Sequence, residues 1–223
     1  MTPKAFGLPA AAFALVLCLA IPLHAQTPPA ESENFSTQFV GNADQNSLLA
    51  LFEGTVPGSP QPALENGILY RDFDDKMMRV DFLELDGSLQ QTVLLRFDQN
   101  PPKAYDISSA GKTCQASSLT PGTFQSFYGW LKDAKLSPHK AKALILYGGG
   151  IAGPVKLDDW EYRYPHGSGI SETGLTVDAS SNTPIFIDWR LDHPDHRIEV
   201  DFDSYTPGKP VKSVFDIPAI CNQ

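Results

Sequence analysis

The sequence predicts a mainly β domain: an antiparallel sheet with one or two helices packed on it. Three observations carry that expectation. Between Gly67 and Phe97, apolar and polar side chains alternate. Met78, Val80 and Phe82 are set against Arg79 and Asp81, then Val93, Leu95 and Phe97 against Thr92 and Arg96. A period of two puts one face on a core and leaves the other wet. The same period returns in Ile185, Ile187, Trp189 and Leu191, and again in Ile198, Val200 and Phe202. Helical spacing is convincing only once, so helix is the minor partner of nine or ten strands.

Residues 1–25 read as a cleaved secretory signal: Lys4, the apolar run Ala10–Ile21, then Pro22–Ala25 ending in a small residue. The run is short for a bilayer span and no later one resembles a membrane helix, so a secreted, extracellular protein is expected rather than an integral membrane protein. Residues 26–40 read as a disordered lead, polar and carrying Pro28-Pro29. Asn34-Phe35-Ser36 within it is a glycosylation sequon, with a chance match as its alternative. Residues 41–223 then form one domain. Ser47–Gly54 is either a short helix capped by Asp44 or a first strand, and the strand reading is preferred. Gly67–Phe73 is a strand, Asp74–Lys76 a turn, and Ala104–Ile107 a short strand. Phe124, Phe127, Tyr128 and Leu131 fall at i, i+3, i+4 and i+7, which predicts an amphipathic helix over Phe124–Ala134. Lys142–Tyr147 reads as a buried strand and Gly148–Pro154 as a glycine turn. Val155–Tyr164 is a strand with Trp160, Tyr162 and Tyr164 on one face. Leu175–Val177 is short, and His193–His196 is a hairpin loop.

The chain has 223 residues and a formal charge of −9, which argues against nucleic acid as a partner. Outside the signal, only Cys114 and Cys221 remain, and an oxidising compartment favours a disulfide between them. The Gly148–Gly153 run matches a dinucleotide-binding spacing, but a strand rather than a helix is expected to follow it. Asp192, His193, Asp195 and His196 combine carboxylates with imidazoles, the ligand types of a transition metal, on a loop otherwise read as a solvated turn. Asp188, Asp201 and Asp203 are read as outer polar faces, with calcium as the alternative. No motif supports a catalytic constellation, so a hydrolase or metal enzyme is the third reading. Phe82, Phe97, Trp160, Tyr162 and Trp189 either line an apolar pocket or fill the core.

Gly67-Ile-Leu-Tyr70-Arg-Asp-Phe73, Arg79-Val-Asp81, Thr183-Pro184-Ile185, Val200-Asp-Phe202 and Val214-Phe215-Asp-Ile-Pro218-Ala-Ile-Cys221 resemble, in order, the motifs of ependymins and ependymin-related proteins. The resemblance spans about residues 60–223. It implies a strongly curved half-barrel sheet like that of bacterial lipoprotein carriers, enclosing a hydrophobic pocket with helices on its open side. It also implies secreted or lysosomal glycoproteins, calcium association, homodimers, lipid binding and cell–matrix adhesion. The chain has fewer cysteines than vertebrate members, and its sequon precedes the domain. The function expected is a secreted, non-enzymatic protein that holds an apolar ligand or lipid in the concave face. A calcium-associated adhesion protein of the extracellular matrix is the alternative.

Overall fold

The computed structural model describes residues 27–108, 113–137, 156–192 and 196–222. The expected signal, the Lys142–Tyr147 strand, the glycine run, His193 and Asp195 lie outside them.

Eleven strands and one helix are built from these residues: β1 (Phe35–Ala43), α1 (Gln45–Glu53), β2 (Pro62–Asp72), β3 (Met77–Leu83), β4 (Leu89–Arg96), β5 (Lys103–Ser108), β6 (Cys114–Ser118), β7 (Lys135–Leu136), β8 (Leu157–Arg163), β9 (Ile170–Asp178), β10 (Pro184–Leu191) and β11 (Arg197–Pro207). They form one curved antiparallel sheet, in the order β6-β5-β4-β3-β2-β1-β11-β10-β9-β8-β7. The mainly β expectation holds.

Phe35–Val40, expected to be the end of a disordered lead, is instead part of the middle strand. Along β1, Phe35, Thr37, Phe39, Gly41 and Ala43 face inward. Threonine, glycine and alanine dilute the apolar alternation, so the strand is weakly marked in sequence. The preferred strand at Ser47–Gly54 is overturned as well. The Asp44 carboxylate accepts from the Ser47 amide at 3.1 Å and the Ser47 hydroxyl at 2.7 Å, and Gly54 ends the helix at φ 83°. Those are the start and stop that a helix needs. Ser47, Leu48, Leu51 and Phe52 then share one buried face.

The inner face of the sheet carries the larger core. Met78, Val80, Phe82, Val93, Leu95 and Phe97 join Phe39, Trp160, Trp189 and Phe202 there, under Leu48, Leu51 and Phe52 of α1. Gly67 of β2 is required by this packing: a Cβ there would collide with the Asp81 carbonyl and lie 2.9 Å from the Phe39 ring. The outer face is not wet throughout. Met77, Leu94, Tyr105 and Ile107 form a second core, closed by Phe215 of the C-terminal tail. Arg79 and Arg96 hold the tail by donating to the carbonyls of Val214 (2.9 Å) and Phe215 (3.0 Å). The Cys114–Cys221 disulfide ties the end of the tail to β6, as expected.

Candidate functional site

The strand order forces one long crossing. β6 and β7 lie at opposite edges of the sheet, so residues 119–134 must run from one edge to the other. They do so across the inner face. The Phe124 ring stacks on Phe97 at 5.0 Å, and the Phe127 ring meets Phe35, Phe52 and Trp189 at 5.6, 6.4 and 6.0 Å. Leu131 is buried further along. The helix expected over Phe124–Ala134 is absent; a single 3-10 turn at Leu131–Asp133 is all that forms. The helical spacing picked the buried side chains correctly, but the backbone finds its partners outside the segment. The Gln125 amide donates to the Glu53 carbonyl at 2.8 Å. The amides of Phe127 (2.8 Å) and Tyr128 (2.9 Å) and the Ser126 hydroxyl (2.5 Å) all donate to the Glu33 carboxylate. With its donors taken this way, the strap has no need of its own helix.

Arg71 holds the strap from below. It sits on β2 two residues after Leu69, at an inward position of the strand, and is fully buried. Its guanidinium donates to the carbonyls of Phe52 at 2.8 Å and of Gln125, so one side chain joins the end of α1 to the strap. Glu33 lies 3.9 Å away, and the Phe124 ring covers the cation at 4.2 Å. Burial lowers this guanidinium to about 10, against the opposing pull of Glu33, Tyr128 and Glu53. Burial also pushes the carboxyls of Glu31 and Glu53 up to about 7, in the case of Glu53 despite the attraction of Arg71.

The expected pocket residues separate. Phe82, Phe97, Trp160 and Trp189 are buried together in the inner core beneath α1 and the strap. Tyr162 lies instead in an open groove of about 430 Å3 beside β7, with Asp133 and Leu136, and packs edge-to-face on Tyr164 at 4.7 Å. Asn34 serves the turn after β2: its side-chain oxygen accepts from the amides of Phe73 (2.8 Å) and Asp74 (3.3 Å), and its amide donates to Asp74 at 3.1 Å. Asp192 accepts from the amides of Gly167 (3.1 Å) and Gly169 (3.2 Å), which places it in a loop-capping role. His196 directly precedes β11, and its carbonyl accepts from the Leu191 amide at 2.9 Å. Among the described residues, no group of three or more His, Cys, Asp or Glu side chains is placed to hold a metal ion. No helix among them is long and apolar enough to cross a membrane.

Sequence reasoning missed Arg71, Glu31, Glu33 and Glu53. An arginine on the inward phase of an apolar strand is a usable signal for the first. The glutamates meet their partners across long stretches of chain and leave no local pattern.

Fold and site together define a curved antiparallel sheet whose inner face is closed by a helix and a latched strap. Among solved structures, the chain is similar to an uncharacterized conserved protein from Thermus thermophilus, at 12% identity and TM-score 0.44, over 84% of this chain and 87% of that one. It is also similar to a DUF1329 family protein from Desulfovibrio piger, at 9% identity and TM-score 0.38, over 83% and 90% of the two chains. A third is a putative outer membrane lipoprotein-sorting protein domain from Vibrio parahaemolyticus, at 8% identity and TM-score 0.27, over 78% and 84%. At such identities and scores, these likenesses carry nothing about ligand or activity. No protein-family model and no curated protein matches the sequence, so the resemblance to ependymins rests on its motifs alone.

Proposed function

We propose that this is a secreted, non-enzymatic binding protein that shelters an apolar ligand, a lipid, between the inner face of its sheet and the strap. The observation that carries the reading is the strap itself. Its aromatic side chains fill a hollow lined by Phe39, Phe52, Phe82 and Trp189. Yet its backbone is held by the side chains of Glu33 and Arg71 and by the Gln125 amide donating to the Glu53 carbonyl, rather than by a helix or a sheet ladder. Such a cover lifts without breaking a secondary-structure element, and the surface it leaves is apolar apart from the Arg71 guanidinium. Acyl chains match that surface, because burial of CH2 groups is favourable and non-directional.

The test is lipid content and uptake. Native mass spectrometry of the purified protein is expected to find co-purifying lipid. The delipidated protein is expected to take up a fluorescent fatty-acyl probe, with quenching of the strap and inner-face tryptophans Trp130, Trp160 and Trp189. A protein that carries no lipid and takes up no probe, even after Phe127→Ala empties part of the hollow, refutes the reading.

A further inference from the structure

We propose that the strap is a proton-operated cover: it stays closed while the half-buried carboxyls of Glu31 and Glu53 are protonated and is released when they ionise. This rests on the carrier reading above, since it assigns the strap to guarding the cargo.

Two carboxyl groups, Glu33 and Glu53, neighbour the Arg71 guanidinium, and a third, Glu31, lies beside Tyr128 of the strap. Glu33 is engaged by three strap donors and lies 3.9 Å from Arg71. Glu53 ends α1; its carbonyl accepts the Gln125 amide of the strap, and its carboxyl feels Arg71 of β2 as its charged neighbour. Glu31 precedes Glu33 on the segment leading into β1. One of its carboxyl oxygens is buried with no hydrogen-bond partner, an arrangement that suits the neutral acid and penalises the anion. Among the described residues, the titratable groups that face Glu31 are Tyr128 from the strap and Tyr205 from β11, and neither supplies a positive charge. Tyr128 is buried against Phe35 at 5.7 Å and Phe127 at 4.8 Å. With Glu31 and Glu53 neutral, Arg71 and Glu33 balance each other. With both ionised, Arg71 faces two carboxylates, and Glu31 adds a poorly solvated negative charge beside Tyr128. Lifting the strap lets water reach them.

The direction follows from linkage. Both carboxyls stand at about 7 in the closed form, against 4.5 when exposed, so the closed form binds more protons between those values. The contribution of these two groups to closure is therefore full below about 4.5 and is lost as pH rises through 7. Each shift alone sets a ceiling of roughly a few hundredfold on the closing equilibrium. Both side chains are only half-buried and solvent screens them, so a change of about tenfold between pH 5 and 8 is expected.

Amide hydrogen exchange of the intact protein, corrected for intrinsic rates, tests this without any ligand. Relative to β1 amides, protection of Phe127 and Tyr128 is expected to fall about tenfold from pH 5 to pH 8. In Glu31→Gln/Glu53→Gln, which imitates the protonated pair, it is expected to stay level. Flat protection in the wild type overturns the proposal, and so does an unchanged pH profile in the double variant. Should the double variant not fold, the wild-type profile and each single variant decide alone. Uptake of a fatty-acyl probe at pH 5 and pH 8 separates the two ideas. Equal uptake rates with flat protection overturn the proton latch and leave the carrier reading standing. No uptake at either pH, with protection that still falls, ends the carrier reading while the latch passes its own test.

Discussion

Glu33 is the residue on which the strap depends most, and Glu33→Ala isolates its share. The carboxylate accepts from the amides of Phe127 and Tyr128 and from the Ser126 hydroxyl, and its side chain is 23% exposed. Truncation leaves two half-buried amides and a hydroxyl without their acceptor. A hydrogen bond to a charged group contributes about 1.5–3 kcal/mol net, and partial exposure with water replacement holds the total to about 2–4 kcal/mol. Arg71 also loses its nearest carboxylate, but a 3.9 Å contact adds little to that sum. Urea unfolding followed by circular dichroism is expected to show that loss with an unchanged m-value. Exchange of the Phe127 and Tyr128 amides is expected to quicken by at least tenfold. Glu33→Gln keeps one acceptor oxygen and is expected to fall between wild type and alanine. A stability change under about 0.5 kcal/mol, with strap amides as protected as before, refutes the latch.

Other perturbations read the rest of the structure. Gly67→Ala drives a methyl group onto the Asp81 carbonyl and the Phe39 ring, and overpacking of this kind costs about 1–3 kcal/mol, visible as a lower Tm in a thermal scan. Reducing the Cys114–Cys221 bridge, 107 positions apart in the chain, removes at most about 4–5 kcal/mol in the chain-entropy model. Dye binding to the freed outer face of Met77, Leu94 and Ile107 is expected to rise with it. Asp44→Ala removes the cap of α1 and costs about 1–2 kcal/mol by denaturant titration. Burial opposes ionisation of Asp44, but hydrogen bonds from Gln61 and Ser47 outweigh it and hold the carboxyl below its ordinary 3.8. Its contribution is therefore complete above that value and is lost as pH falls through the depressed one, so the mutational difference shrinks in strong acid.

Much of the sheet was legible because its inner side chains keep strict period. Met78, Val80 and Phe82 show the phase of β3, and Ile198, Val200 and Phe202 that of β11. The second core was missed, because the alternation implies a wet outer face; the succession Val93, Leu94 and Leu95 in β4, where both faces are covered, was the signal passed over. The strap was misread because Phe124, Phe127, Tyr128 and Leu131 carry helical spacing while their backbone partners come from elsewhere. Those partners lie more than 90 positions away for Glu33, beyond any local window. α1 turned on one carboxylate, that of Asp44, which outweighed the apolar run that suggested a strand. Phe82, Phe97, Trp160 and Trp189 were found as a set, but which of them a ligand would meet depends on the strap.

The position of β1 has a consequence for how the molecule comes together. Phe35–Gly41 is flanked on one side by its neighbour β2 and on the other by β11, which arrives roughly 170 positions later in the chain. Two meanders can form separately, one from β2 to β6 and one from β8 to β11, but neither alone encloses anything. The hollow comes into being only when the last strand zips onto the first. Until then, Phe35 and Phe39 lie along a bare ribbon edge, the kind of surface on which unfinished chains stick to one another.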